Sequence, residues 1–242
     1  MRSPVQQALP FPRRGGARQG AGRKPRPERK GFVPHVTRPR HSKNHPVHVT
    51  MRRVPAGPNF REELVFFEIR RAFAAASERG LRVIHYSVQC DHLHLIVEAA
   101  DRVVLWRGVQ RLFTRIARDV NRVARRRGRL FRDRHHRHDL RTPKEVRNAY
   151  VYVLQNWRKH ARTYRGAVRR AKVVHSVSDV LDPCSSASVF DGWHADAASA
   201  LSLLERLPRA GPPGVVGARS WLATHGWRRR GLVHLGESPA RS

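Results

Sequence analysis

The segment Cys90–Glu98 constrains the fold more than any other part of the chain. Apolar residues alternate with other residues along it, which is the period of a β-strand whose two faces meet different surroundings. The face that would enter the core carries Leu93, Leu95 and Val97. The opposite face would carry His92 and His94 side by side, because alternate side chains of a strand share a face.

Hydrophobic periodicity around this strand predicts the element order β-α-β-β-α-β-α. The predicted strands cover residues 45–54, 81–89, 92–98 and 130–140, and the predicted helices cover 62–79, 103–125 and 143–162. This order is the split βαβ pattern of a ferredoxin-like (RRM-like) antiparallel sheet, followed by an extra C-terminal helix. We therefore expect an α+β fold with two helices on one sheet face. The other face would be free to meet a ligand.

Composition divides the chain into three parts. Residues 1–44 are rich in Arg, Pro and Gly, with Glu28 as the only acidic residue, so we expect a basic disordered arm. Residues 45–165 contain all the predicted elements and form the expected main domain. Residues 166–242 change character, and we expect a small C-terminal module of unknown role.

The charge balance indicates the kind of partner. The formal net charge is +31 at pH 7, from 49 Lys and Arg against 18 Asp and Glu. Such a field attracts polyanions, and phosphates neutralised by Lys and Arg release counterions. We therefore expect a nucleic acid partner and exclude an enzyme for neutral ligands. On charge alone, a ribosomal or chromatin-type basic protein is an alternative.

Cysteine usage and hydropathy bear on the compartment. Cys90 and Cys184 are isolated and suggest neither a metal-binding pair nor a disulfide framework, which fits a reducing compartment. No apolar run is long enough to span a membrane, and no apolar stretch of a secretion signal follows the basic N-terminus. We expect a cytoplasmic, nucleoid-associated protein.

The histidine pair is a candidate metal site. Two imidazoles on one strand face can share a divalent cation, because neutral histidine is a common metal ligand. His92 and His94 would need a third ligand from elsewhere in the fold. In a ferredoxin-like sheet the first and third strands are neighbours, so His48 and Thr50 could lie beside the pair. The alternative is a solvent-facing strand surface on which the two histidines have no function.

The helix predicted at 143–162 separates two tyrosines. Its apolar stripe consists of Val146, Ala149, Tyr150, Val153, Leu154 and Trp157. Tyr152 lies roughly 160° around the axis from Tyr150 and shares a polar face with Asn156, one turn later. A phenol oxygen there can attack a phosphorus atom, while an amide oxygen completes the coordination of a metal. The alternative for Tyr152 is a surface tyrosine that makes a hydrogen bond.

With these residues the chain resembles the single-tyrosine HUH transposases, in particular their REP-associated tyrosine transposase branch. The motifs that carry the resemblance are His92–His94 and Tyr152–Asn156, with support from His48–Thr50, Gly128–Phe131 and Arg141–Glu145. The similarity covers roughly residues 45–165.

The resemblance implies an enzyme that cuts and rejoins single-stranded DNA, often beside a hairpin, through a 5′-phosphotyrosine intermediate. It implies Tyr152 as the nucleophile and Mg²⁺ or Mn²⁺ held by His92, His94 and a polar residue of the tyrosine helix. Asn156 matches that last position best, and Gln155 is its rival. Related proteins often form dimers in which each tyrosine meets the partner's histidines, so a homodimer is an option for this chain.

Basic side chains are candidate contacts to the DNA backbone, together with His48 and Thr50. Those on the second helix are Arg107, Arg111, Arg115, Arg118 and Arg122. Those near the fourth strand are Arg132, Arg134 and Arg137, and we expect the histidine-rich stretch 134–138 to contact phosphates or DNA as well. For any single arginine, a solvated helix face is the alternative. For the whole protein, the alternative is a domesticated or non-catalytic nucleic-acid-binding protein on the same fold.

Overall fold

The computed structural model describes residues 38, 40–158, 181–198, 202 and 214–237. Its strands are Val47–Arg52 (β1), Arg82–Val88 (β2), His92–Glu98 (β3) and His136–Asp139 (β4). Its α-helices are Glu63–Glu78 (α1), Arg102–Val123 (α2), Pro143–Gln155 (α3) and Trp221–Thr224 (α4). Among the described residues, no helix combines the length and the apolar composition that a membrane crossing requires. Apart from residues 38 and 40–44, the predicted N-terminal arm lies outside the described residues.

The four strands form one antiparallel sheet in the order β2-β3-β1-β4. The predicted α+β fold with a ferredoxin-like antiparallel sheet and an additional helix, α3, is confirmed. In the register, Thr50 pairs with His94 on one side of β1, and His48 pairs with His138 on the other. Residues paired in this way lie on the same sheet face, so this register decides which polar side chains meet.

Helices α1 and α2 cover one face of the sheet. Apolar side chains from alternate strand positions, including Val49, Leu95 and Val97, are fully buried beneath them. The Asp101 side chain accepts hydrogen bonds from the backbone amides of Val103 and Val104, which fixes the start of α2. Burial of each large apolar side chain in this layer stabilises the fold by about 1.5–3 kcal/mol.

Several predicted boundaries differ from those observed, and three elements show the difference most clearly. The fourth strand is only His136–Asp139, because the chain before it makes no more than an isolated bridge between Arg53 and Phe131. Helix α2 ends at Val123, and Arg125 adopts the left-handed backbone with φ 47°. Helix α3 ends at Gln155, and residues 159–162 lie outside the described residues.

The expectation of a second sheet face free to meet a ligand is wrong, because other elements of the chain cover part of that face. Helix α3 and parts of the segments 181–193 and 218–235 pack over it. The reason is chemical, because Ile84 and Ile96 project from this face and are buried in an apolar cluster with Tyr150. The histidines of this face lie beside this cluster, and His92 and His94 are themselves only 4% and 3% exposed.

A buried ion pair joins the segment after residue 180 to the start of α1. Arg61 Nη1 and Nη2 donate to the two carboxylate oxygens of Asp182 at 2.9 and 2.7 Å. The two side chains are 3% and 0% exposed. Asp182 also accepts from the backbone amide of Cys184, two residues later, at 3.0 Å. The contact with Arg61, 121 positions away, thus ties this segment to a part of the chain that is distant in sequence.

We expect Asp182→Ala to lower the free energy of unfolding by about 3–5 kcal/mol, because it leaves the Arg61 guanidinium buried without its counter-charge. Urea denaturation would measure this loss. The matched control is Asp191→Ala, which removes an ion pair with Arg228 whose carboxylate is 84% exposed. The control should change stability by no more than about 1 kcal/mol. Equal effects of the two variants would contradict the assigned role of the buried pair.

Candidate active site

The histidines of β1 and β3 meet on the face of the sheet opposite α1 and α2. His94 Nδ1 lies 3.2 Å from His48 Nε2 and 3.1 Å from Thr50 Oγ1. The ring centroids of His92 and His94 are 4.8 Å apart. The structure thus brings together His48, Thr50, His92 and His94, as the strand alternation indicates.

Each ring of the histidine pair already uses Nδ1 within the protein. His92 Nδ1 lies 2.6 Å from Asp91 Oδ1, and this hydrogen bond lowers the pKa of the Asp91 carboxyl to about 2. His94 Nδ1 faces the side chains of His48 and Thr50. Such contacts fix the orientation and tautomer of a metal-binding imidazole. Either ring would therefore coordinate a cation through Nε2.

Helix α3 brings Tyr152 to the histidines. The ring centroid of Tyr152 is 5.0 Å from that of His94 and 5.6 Å from that of His48. Tyr150 faces the other way, is 1% exposed, and donates its hydroxyl to the Ala223 carbonyl at 2.8 Å. The prediction that Tyr150 is a core residue is confirmed.

The start of α3 is fixed by a capping box. Glu145 N donates to the Thr142 hydroxyl at 3.2 Å, and Thr142 N donates to the Glu145 carboxylate at 3.1 Å. Pro143 occupies the first turn, where its missing N–H costs nothing. This local start sets the rotation of the helix and hence the direction in which Tyr152 projects.

Burial shapes the protonation of this site. Burial raises the pKa of the Tyr152 phenol, and the Arg52 guanidinium acts in the opposite direction. Burial lowers the pKa of His48 to about 4, and the nearby His136 and His138 add to this effect. At neutral pH the site therefore contains a protonated phenol beside an uncharged imidazole.

The two candidate third ligands differ in their contacts. Gln155 Nε2 donates to the His234 carbonyl at 2.7 Å, so its amide is turned toward the C-terminal segment. The Asn156 side chain is fully buried, and among the described residues neither of its amide atoms has a hydrogen-bond partner, whereas in Gln155 only Oε1 lacks one. A buried amide without partners is costly, which is consistent with a side chain that receives a ligand.

By residue type, the proposed donor set suits a divalent cation. His92 and His94 would offer imidazole nitrogens, and Asn156 would offer an amide oxygen. Imidazole suits transition ions, whereas Mg²⁺ prefers oxygen ligands and water. Of the two expected ions, Mn²⁺ therefore matches these side chains better than Mg²⁺ does.

The predicted arginine contacts of α2 lie on the other side of the sheet from Tyr152, because α2 packs on the opposite face. Arg115 and Arg118 lie 3.4 and 3.1 Å from the Asp119 carboxylate. Arg122 lies 3.0 Å from Glu68. Arg107 and Arg111 are exposed.

The predicted basic residues near β4 also differ from one another in ion pairing and exposure. Arg137 forms an ion pair with Asp139 at 2.6 Å and is largely buried. Arg132 is exposed, and Arg134 is partly exposed.

His136 and His138 lie on the same sheet face as His48 and Thr50, which was not predicted from the sequence. They pair with Thr50 and His48 across β1 and are exposed. The stretch was predicted to be histidine-rich and to contact phosphates or DNA, but the signal that was missed is its own His-x-His alternation, which puts His136 and His138 on one strand face. They extend the histidine face from β3 across β1 to β4.

Comparison with known proteins finds similarity among solved structures. The chain matches no family model and no curated protein. Among solved structures, it is similar to a REP-associated tyrosine transposase bound to a REP hairpin, with a TM-score of 0.43 and 16% identity. The alignment covers 62% of this chain and 94% of that one. At this level of similarity, any functional assignment rests on the geometry of this chain's own residues.

Proposed function

We propose that this protein is a metal-dependent tyrosine transposase that cuts and rejoins single-stranded DNA beside a hairpin. The observation that carries the proposal is the approach of Tyr152 to His94, with ring centroids 5.0 Å apart. A phenol, a pair of oriented imidazoles and a buried amide one helical turn away are the groups that such chemistry requires.

In the proposed reaction the Tyr152 oxygen attacks the scissile phosphorus. A bond forms between the phenol oxygen and phosphorus as the bond from phosphorus to the 3′-oxygen breaks. The phenol loses its proton, and the departing 3′-oxygen takes one up. The phosphotyrosine conserves the energy of the broken bond, so attack by a 3′-hydroxyl can rejoin the strand without a high-energy cofactor.

The residues around the phenol have separate tasks in this scheme. His92, His94 and Asn156 would hold Mn²⁺ or Mg²⁺, which would polarise the phosphate when bound. Arg52, which opposes the rise in the pKa of Tyr152, would favour loss of the phenol proton as the new bond forms. The exposed His136 and His138 line the open side of the face, where the strand would pass.

In this proposal the remaining predicted residues contact the phosphate backbone of the DNA. Arg107 and Arg111 lie across the sheet from Tyr152, so they would hold a part of the nucleic acid remote from the cut. Within one chain Tyr152 already meets the histidines, so a homodimer is not needed to assemble the proposed site.

A labelled-DNA assay tests the proposal. The full chain is incubated with hairpin-flanked single-stranded oligonucleotides taken from the DNA beside its gene, with Mn²⁺ or with a chelator. A 5′-phosphotyrosine links the protein to the downstream fragment, so we expect a denaturation-resistant adduct that carries a 3′-end label and not a 5′-end label. The adduct should require the metal. Tight DNA binding without any adduct would support the non-catalytic alternative instead.

A further inference from the structure

We propose that His194, Asp196 and His234 form a second metal site, which binds Zn²⁺ and fastens the C-terminal segment to the end of α3. One ligand atom from each of the three residues lies within 4.8 Å of the others. None of these residues belongs to the proposed active site, and the inference does not depend on the proposed function.

The spacing of the donor atoms suits a tetrahedral ion. His194 Nδ1 lies 3.6 Å from Asp196 Oδ1, and His234 Nδ1 lies 3.3 Å from Asp196 Oδ2. Ligands at about 2.0–2.1 Å from a tetrahedral Zn²⁺ are separated from one another by about 3.3–3.4 Å. Each imidazole nitrogen therefore already lies near the ligand separation from one oxygen of Asp196, and one ligand atom of each residue lies within 4.8 Å of the other two.

The backbone brings the ligands together. Trp193 and Val233 form a parallel bridge, in which His194 N donates to the Val233 carbonyl at 2.8 Å and Val233 N donates to the Gly192 carbonyl at 3.0 Å. Trp193 and Val233 are buried in the apolar cluster that contains Ile84, Ile96 and Tyr150. Because their neighbours in the chain are anchored, His194 and His234 meet with ring centroids 4.0 Å apart.

The donor chemistry selects the kind of ion. Two imidazoles and one carboxylate suit Zn²⁺ and related transition ions, whereas Mg²⁺ and Ca²⁺ require mainly oxygen ligands. The three side chains are 40–48% exposed, so an ion can enter from solvent and retain a water as fourth ligand.

Metal binding here would reach the helix that carries Tyr152. The His234 carbonyl accepts the hydrogen bond from Gln155 Nε2 at 2.7 Å. Two residues earlier, the Leu232 carbonyl accepts from Arg147 Nη2 at 2.8 Å. An ion on His234 would therefore hold in place a strip of backbone that contacts α3 at both positions.

The test uses the full chain with His92→Ala and His94→Ala, so that Zn²⁺ cannot bind at the proposed active site. Calorimetric titration should find one tight Zn²⁺ per chain, and Zn²⁺ should raise the melting temperature. Adding His194→Ala or His234→Ala should weaken binding by at least the roughly 10- to 100-fold that loss of a supporting contact to a metal ligand costs. The rise in melting temperature should disappear as well.

His225→Ala is the matched control, because His225 is an exposed histidine of the same segment outside the cluster. It should leave Zn²⁺ binding unchanged. Co²⁺ in place of Zn²⁺ should give the visible absorption of a four-coordinate ion, which Asp196→Asn should weaken. In the chain that retains His92 and His94, His194→Ala or His234→Ala should likewise reduce the number of Zn²⁺ ions bound per chain by one. Unchanged affinity and stoichiometry in His194→Ala and His234→Ala would overturn the proposal and leave a simple histidine–carboxylate contact.

Discussion

Tyr152→Phe should reduce formation of the covalent protein–DNA adduct by more than about 1,000-fold, because removal of a nucleophile from a covalent mechanism has effects of this size or larger. The variant keeps the aromatic ring beside His94 and His48 and loses only the hydroxyl. Hairpin binding should change little, since the proposed contacts to the phosphate backbone come from other residues. Denaturing gels with 3′-labelled substrate measure the adduct, and gel shifts without metal measure binding.

Tyr150→Phe is the matched control on the same helix. It removes the hydroxyl that donates to the Ala223 carbonyl at 2.8 Å. Loss of one buried hydrogen bond should lower the free energy of unfolding by about 1–3 kcal/mol. The folded fraction should still form the adduct. If Tyr152→Phe formed as much adduct as the control, Tyr152 would not be the nucleophile.

His94→Ala should lower the rate of metal-dependent cleavage by roughly 100- to 10,000-fold, because a bound cation contributes several kcal/mol of charge stabilisation in the transition state. The variant removes one of the two proposed imidazole ligands and its contacts with His48 and Thr50. Mn²⁺ affinity, followed by the paramagnetic resonance of the free ion, should fall in parallel. DNA binding in the presence of a chelator should persist.

The control for this variant is His225→Ala, an exposed histidine of the C-terminal segment. It should leave cleavage and Mn²⁺ affinity unchanged. Normal cleavage by His94→Ala would contradict the proposed metal site. A loss of cleavage with unaltered Mn²⁺ affinity would give His94 a role other than that of a ligand.

The short-range features of the fold were predictable because they depend on neighbours in the sequence. Alternation along β3 placed Leu95 and the histidines on opposite faces of the strand, and helical periodicity separated Tyr150 from Tyr152. The predicted start of α3 at residue 143 agrees with the observed start at Pro143. The faces of a strand and of a helix repeat every two residues and every 3.6 residues, so the local pattern contains them.

Which elements pack over the second sheet face was decided only by the tertiary structure. It depends on contacts between residues far apart in the chain, such as Arg61 with Asp182 and Gln155 with His234. The same holds for the position of the α2 arginines across the sheet from Tyr152, and for the meeting of His194 with His234. Such pairings leave no periodic signal, because either partner alone has the appearance of an ordinary polar residue. The sequence by itself thus determined which side chains share a strand or helix face, and packing determined which of those faces meet.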